Sequence, residues 1–449
     1  MKRLTPIHIL VIGWLIAVIS AYPGYMDAAA ADQLFDSRAH VITDWHSPVF
    51  SAVWGSLEVL MAGPVPMLAL QVTLTLVGAY VLLARSQPEK RAALGACAVV
   101  LFPPVLVTIG QLSAQVAFAA FLIAGFAALT SEHRRWKVAG IVLLVIAAAM
   151  QPTGASAVVP LIVARFQWSE QMRTIQRVAV ASGLAIVVVA ASILLDRSVV
   201  DAVSERDAVT RAYEQISMAV ERSPAMDDAS LRAEMPGIEL LGSDLHVRIA
   251  ERSRHGRSLL VGDAVVREPE TSGEREALFT ARDNVLRDHS GALWAYRYRI
   301  ALRVLGVVRG KNWRPVYTRF VPSAISINSL QHRAKSSPPQ KWIYALLKPL
   351  AKTPLFWPYL YVALVLVMLP FGILRRAYAA AVLLVSGLVF EISLVFVDVN
   401  PGFRDSHWLI CSTVLALVLS WPSLRRKAAP VVQPDRPRPE ESPVPASAA

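Results

Sequence analysis

Apolar runs long enough for a helix to cross a bilayer alternate along this chain with short clusters of Lys and Arg. One polar block, residues 196–345, interrupts that rhythm. A hydrocarbon crossing takes about 20 apolar residues, and its backbone must satisfy its own hydrogen bonds, as a helix does. The pattern predicts spans at roughly 5–22, 64–84, 92–110, 112–130, 137–151, 153–166, 178–195, 354–374, 377–397 and 406–421. The fifth and sixth are short, and Gln151-Pro152-Thr153-Gly154 separates them as a tight turn. The fold class that follows is an all-α polytopic membrane protein of about ten transmembrane helices with one large extracytoplasmic loop domain.

The basic clusters orient these spans. Lys2 and Arg3 place the N-terminus in the cytoplasm, and Arg85, Lys90 and Arg91 mark the next cytoplasmic loop. Arg134, Arg135 and Lys137 follow, then Arg173 and Arg177, then Arg375 and Arg376, and finally Arg425, Arg426 and Lys427. Every second connection is basic, so both termini are cytoplasmic. Residues 1–195 then form an N-terminal bundle containing the outer loop 23–63, and residues 196–345 form the large outer domain. Residues 346–421 are the C-terminal helices, and 422–449 a disordered, Pro-rich cytoplasmic tail. The outer domain begins with an amphipathic helical pattern over Val200–Val220 and then reads as rich in loops. Ser47–Ala62 is apolar but broken by Glu58, so it reads as a helix at the interface or tucked against the bundle. Ile7–Ala21 reads as a retained first helix rather than a cleaved signal, because many spans follow and Tyr22-Pro23-Gly24-Tyr25 makes a poor cleavage site.

Composition agrees with this reading. Of 449 residues 55% are hydrophobic and only 17% charged, and mean hydropathy is +0.46, too little charge to solvate the surface of a soluble protein of this length. The net charge of +12 sits largely at helix ends, which accounts for it without nucleic acid. Cys97 and Cys411 both fall in apolar segments and supply neither a disulfide framework nor metal-site spacing.

Candidate chemistry concentrates in the short outer loops. In the first, Asp27 is placed to cap a helix beginning in Ala28–Ala31, and Asp32 and Asp36 share one face of it. Two like charges on one face repel unless a cation or basic substrate sits there; a plain solvated face explains them equally well. Asp44, Trp45 and His46 follow, just before the chain returns to the membrane. A carboxylate and an imidazole held at the bilayer surface can bind a metal, orient a phosphate or move a proton. The last outer loop carries Arg404 and His407 beside Trp408, either a phosphate-binding fork or a belt residue reaching for the interface. Glu391 is the one acidic residue well inside a late span, and intramembrane carboxylates usually face the bundle interior. Gln115 and Gln151 read as helix–helix hydrogen bonders, and Trp342, Tyr344, Trp357, Tyr359 and Tyr361 as an aromatic belt.

Tyr22-Pro23-Gly24-Tyr25-Met26, Gln33-Leu34 and Asp44-Trp45-His46-Ser47-Pro48 together resemble the first outer loop of GT-C-type glycosyltransferases, multispanning enzymes that use polyprenyl-phosphate sugars. The resemblance covers the first hundred residues best. It departs from the family pattern at Ala29, where relatives carry an aspartate four residues before the Gln, and at Ser47, where many carry Pro. It implies a GT-C-like bundle in the bacterial inner membrane that moves a sugar from a polyprenyl-phosphate donor to a glycan, lipid or protein acceptor on the outer face. One of Asp27, Asp32 or Asp44 would be the base, with Trp45, His46, Glu391, Arg404 and His407 binding substrate. A divalent metal could sit on the aspartates, though no spacing specifies one. A polysaccharide polymerase or ligase, using Arg248, Arg252, Arg297 and Arg299 of the large loop, and a non-enzymatic transporter or flippase remain alternatives.

Overall fold

Helices supply the regular secondary structure of the computed structural model, which describes residues 4–43, 46–167, 174–200, 206–223, 227–255, 259–260, 264–308, 315, 337–397 and 401–425. Among the described residues there is no strand, only two isolated bridges, Tyr25 with Gln111 and Leu240 with Val266. Helical structure coincides with each of the ten apolar runs. Three of these helices, Val65–Ala84, Ile175–Val199 and Tyr378–Val397, are long and apolar enough to cross a membrane. Pro6–Ala21, Ala114–Leu129, Gly154–Ala164 and Pro358–Leu374 are apolar but shorter.

One predicted span is broken rather than straight. The run 92–110 divides into Glu89–Val100 and Pro103–Ile109, bent by 69°. Pro103 and Pro104 explain the break: the residue before a proline avoids helical geometry, and Phe102 is extended with ψ 127°. The carbonyls released near the far end of the second piece are not left bare. Gln71, buried in Val65–Ala84, donates its amide to Ile109 O at 2.6 Å and Gln111 O at 3.1 Å.

Two hydrophobic cores form. The larger runs through the helices between residues 17 and 188 and through Phe356–Ala416, and takes in Met218, Tyr296, Ile300, Val304 and Leu347 from the chain between them. Close helix contacts build it: a Cβ on Gly140 would collide with the backbone of Leu129 and the carbonyl of Gly125, and one on Gly387 with Ser412. Phe118 and Phe390 meet with ring centroids 4.9 Å apart. Outward, Ile7, Val11, Ile12, Leu15, Ile16 and Ile19 of the first helix are exposed, as are Ile186, Val187 and Leu194. Apolar faces of this size, left open on the outside of a packed bundle, suit a hydrocarbon environment.

The second core, from Val209 to Val285, belongs to the polar block. Its helices are Arg206–Arg222, Asp228–Glu234, Leu245–His255 and Ser272–Asp288, so this block is more helical than its composition suggests. Thr271 and Glu274 form a reciprocal capping box at the start of Ser272–Asp288, a sequence signal for that helix. Ser290–Val304, whose Tyr296, Ile300 and Val304 belong to the larger core, packs on both Tyr378–Val397 and Arg206–Arg222, and Arg297 donates to Val395 O at 3.2 Å, tying the polar block to the bundle.

Pro48–Glu58 is tucked inward, with Phe50 and Trp54 fully buried and Glu58 paired to Arg38 at 2.6 Å. Of the aromatic belt, Trp342 is exposed, whereas Tyr361 turns inward and donates to Leu355 O at 2.6 Å. The last helix continues to Arg425, four residues beyond the predicted span end at 421; residues 426–449 of the predicted tail lie outside the described residues.

Gly140→Leu is expected to lower the stability of the purified protein by about 1–3 kcal/mol or more through overpacking against backbone that cannot move aside. Thermal unfolding of the variant against wild type measures it, and Gly183→Leu, where a Cβ meets nothing within 4 Å, is the matched control.

Candidate functional site

The loop after the first helix is fixed before it reaches the candidate residues. Tyr22-Pro23 is a cis peptide, and Gly24 takes φ +126° against Leu112, a conformation L side chains avoid. Tyr25 then exchanges backbone hydrogen bonds with the 110–112 turn: its N–H donates to Gly110 O at 2.8 Å and its carbonyl accepts from Leu112 N at 2.8 Å. The Gln340 amide donates to the Tyr22 carbonyl from the helix Pro338–Leu350. The Tyr-Pro-Gly-Tyr motif is thus architectural, stitching the loop to the bundle two residues before Asp27.

Asp27 caps the helix Ala28–Ala39, as its position suggested: its carboxylate accepts from Ala30 N at 2.9 Å. Its other oxygen pairs with Arg404, 377 residues further along the chain. Burial alone would raise the Asp27 pKa, but Arg404 and the helix N-terminus outweigh it and hold the carboxylate below its ordinary value of 3.8.

Arg404 is presented by a short 3-10 turn, Phe403–Ser406. Phe403 is buried against Phe356, with centroids 5.6 Å apart. Asp405 accepts from Gly402 N at 2.6 Å and from the Gln115 side chain, and burial raises its pKa despite Arg404 beside it. Ser406 donates to Glu391 at 2.7 Å. Side chains on both flanks of Arg404 therefore hold the turn that aims it.

Both members of the pair line one cavity of about 600 Å³, together with Gln33, His46, Gln115 and Gln151. Gln33 is buried and reaches Ser47 O at 3.4 Å. Ser47 caps Pro48–Glu58. His46 has its imidazole pushed down to about 4, chiefly by burial, with Arg404 adding to the shift and Asp27 opposing it. It is a neutral imidazole at neutral pH.

The sequence-predicted residues fall into distinct places. Asp27, His46 and Arg404 come together at the cavity. Asp32 does not line it: its carboxylate is more than half exposed, 4.0 Å from His46, with its pKa raised by partial burial and by Asp36 and Asp27. Asp36 turns to Thr43 at 3.1 Å. Glu391 is buried between helices, one oxygen on Ser406, and His407 is buried with Nε2 3.4 Å from the Cys411 sulfur, so neither lines the cavity. Both pack behind Arg404. Asp44 and Trp45 lie outside the described residues. Ala29, where an aspartate was expected, does line the cavity, next to the capping carboxylate. No group of three His, Cys, Asp or Glu gathers to hold a metal ion among the described residues.

Asp196 and Arg211 also line the cavity and were missed, because only the packing of the second core on the bundle joins them. Of the large-block arginines Arg248, Arg252, Arg297 and Arg299, at least three are engaged within the protein. Arg299 pairs with Glu221 at 2.7 and 2.9 Å, Arg248 donates to Leu241 O at 2.7 Å, and Arg297 holds Val395.

No family model, curated protein or solved structure matches the chain.

Because the folded His46 pKa lies below its ordinary 6.5, the unfolded chain binds the extra proton between the two values. That part of the stability is fully present above about pH 6.5 and is lost as pH falls toward 4, by about 3 kcal/mol in all. His46→Gln should flatten the slope in thermal unfolding recorded across that range.

Proposed function

We propose that this chain is a GT-C-type membrane glycosyltransferase, moving a sugar from a polyprenyl-phosphate donor to an acceptor on the extracytoplasmic face. Its ten apolar helical stretches would cross the bacterial inner membrane, with both termini cytoplasmic and residues 196–345 on the outer side. The observation that carries the reading is the Asp27–Arg404 pair in a cavity walled partly by apolar helices and partly by polar loop residues.

In this reading the donor phosphate takes the Arg404 fork, which binds oxyanions bidentately, and so releases Asp27. The freed carboxylate, still held by Ala30 N, accepts the proton of an acceptor hydroxyl as that oxygen attacks the anomeric carbon. The bond from that carbon to the phosphate oxygen breaks, configuration inverts, and the leaving phosphate stays on Arg404. Neutral His46 beside them can donate to a phosphate or sugar oxygen without adding charge. Asp27 is the base of choice: Asp32 lies off the cavity, and Asp27 already faces the cation that donor binding would occupy. The polymerase or ligase alternative loses support from the engagement of Arg248, Arg297 and Arg299 within the protein.

The test is transfer from a panel of radiolabelled polyprenyl-phosphate sugars by the full chain in proteoliposomes. Asp27→Asn should lower transfer about 10²–10⁴-fold with donor binding retained, Arg404→Ala should weaken donor binding, and Asp32→Asn should stay within about tenfold of wild type. Wild-type rates in the Asp27 and Arg404 variants, or saturable transport without turnover, would sink the assignment.

A further inference from the structure

The same cavity is lined by further polar residues that the reaction above does not use. Val189, Ser192, Ile193 and Asp196 line it at i, i+3, i+4 and i+7 of the helix Thr174–Val199, one stripe about 10 Å long. Along that stripe the lining changes from apolar at Val189 to a carboxylate at Asp196. Arg211 enters from the helix Arg206–Arg222, whose opposite face buries Val209, Ala212, Tyr213 and Ile216 in the second core and so fixes its rotation. Gln151 enters from the turn between Arg134–Met150 and Gly154–Gln167. Three separate segments thus bring to one cavity an acceptor-only carboxylate, a donor-only guanidinium and an amide that does both.

This combination has a chemical preference. Asp196 and Arg211 balance in charge, so the group does not select a simple anion, and it is too polar to receive a lipid tail. Neighbouring hydroxyls each donate and accept, and a carboxylate, a guanidinium and an amide complement them. We propose that Gln151, Asp196 and Arg211 form the acceptor subsite and that the acceptor is a polyhydroxylated saccharide. The inference rests on the glycosyl-transfer reading and supplies what that reading leaves open, the acceptor class. It also involves the second core in recognition. The first helix of that core carries one wall of the subsite, so acceptor binding depends on the core being docked on the bundle.

Saturation-transfer difference NMR on the full chain in lipid nanodiscs tests it, with methyl glycosides of mono- and disaccharides as the acceptor probe and farnesyl phosphate as the donor probe. At least one glycoside should bind wild type. Asp196→Asn and Arg211→Gln should each weaken it about tenfold or more, the effect of losing a hydrogen bond to a charged group. Farnesyl phosphate binding by these variants should be unchanged, which also shows that they fold. Arg404→Gln should do the reverse, losing farnesyl phosphate and keeping the glycoside. The inference is overturned if no glycoside binds wild type, if glycoside binding ignores both substitutions, or if a peptide or phospholipid rather than a saccharide competes at Arg211. Farnesyl phosphate binding that ignores Arg404→Gln, with the glycoside result intact, would instead count against the donor reading alone.

Discussion

The arrangement of the site depends on one ion pair, between Asp27 near the start of the chain and Arg404 near its end. An unpaired charge at a largely buried position is expensive, so each partner constrains the other's element. The helix Ala28–Ala39 cannot drift from the Phe403–Ser406 turn without exposing both charges. The supporting contacts converge on the same two points. Tyr25 with the 110–112 turn and Gln340 with Tyr22 fix one side; Asp405 with Gly402 and Gln115, and Ser406 with Glu391, fix the other. The pair is strong enough to organise the cavity, yet of a kind that an incoming oxyanion can exchange. A guanidinium that gives up a carboxylate for a phosphate keeps its coordination and changes only its partner.

Much of the bundle was legible in the sequence because hydrophobic periodicity and caps are local. The apolar runs predicted where helices would form, and Asp27 before four alanines predicted a cap that the geometry contains. The break at Phe102 was masked by the apolar character on both sides of it, although Pro103-Pro104 carried the physical reason in plain sight. The polar block misled in the opposite direction, since low hydrophobicity suggested loops where amphipathic helices pack around a small core of their own.

The site was legible only in part, for a related reason. Sequence gives the depth of a residue along a helix but not the direction it finally faces among its neighbours. Glu391 and His407 have the depth expected of substrate-binding groups, yet they turn toward Ser406 and Cys411 and serve the packing behind Arg404. Gln115, read as a helix-to-helix hydrogen bonder, does bond Asp405 across elements and also lines the cavity, as Gln151 does. Asp196 and Arg211 sit on separate helices, Thr174–Val199 and Arg206–Arg222, and no spacing rule brings them together.

The bend at Phe102 fixes the level of the turn that follows it. Twelve residues of Glu89–Val100 rise about 18 Å, and seven more tilted by 69° add only about 4 Å along the same axis. The twenty residues of Val65–Ala84 rise about 30 Å. Gln71 reports the same offset independently: it meets the 109–111 carbonyls six residues, or about 9 Å, inside the Val65 end of its helix. The turn that leads into the cavity lining at Ser113 is therefore a recessed floor, well below the level where its neighbouring helix ends. In the proposed donor reading, a phosphate bound above that floor would sit below the level of the Val65 end, trading its hydration for fixed donors. The broken helix is what sets that recess.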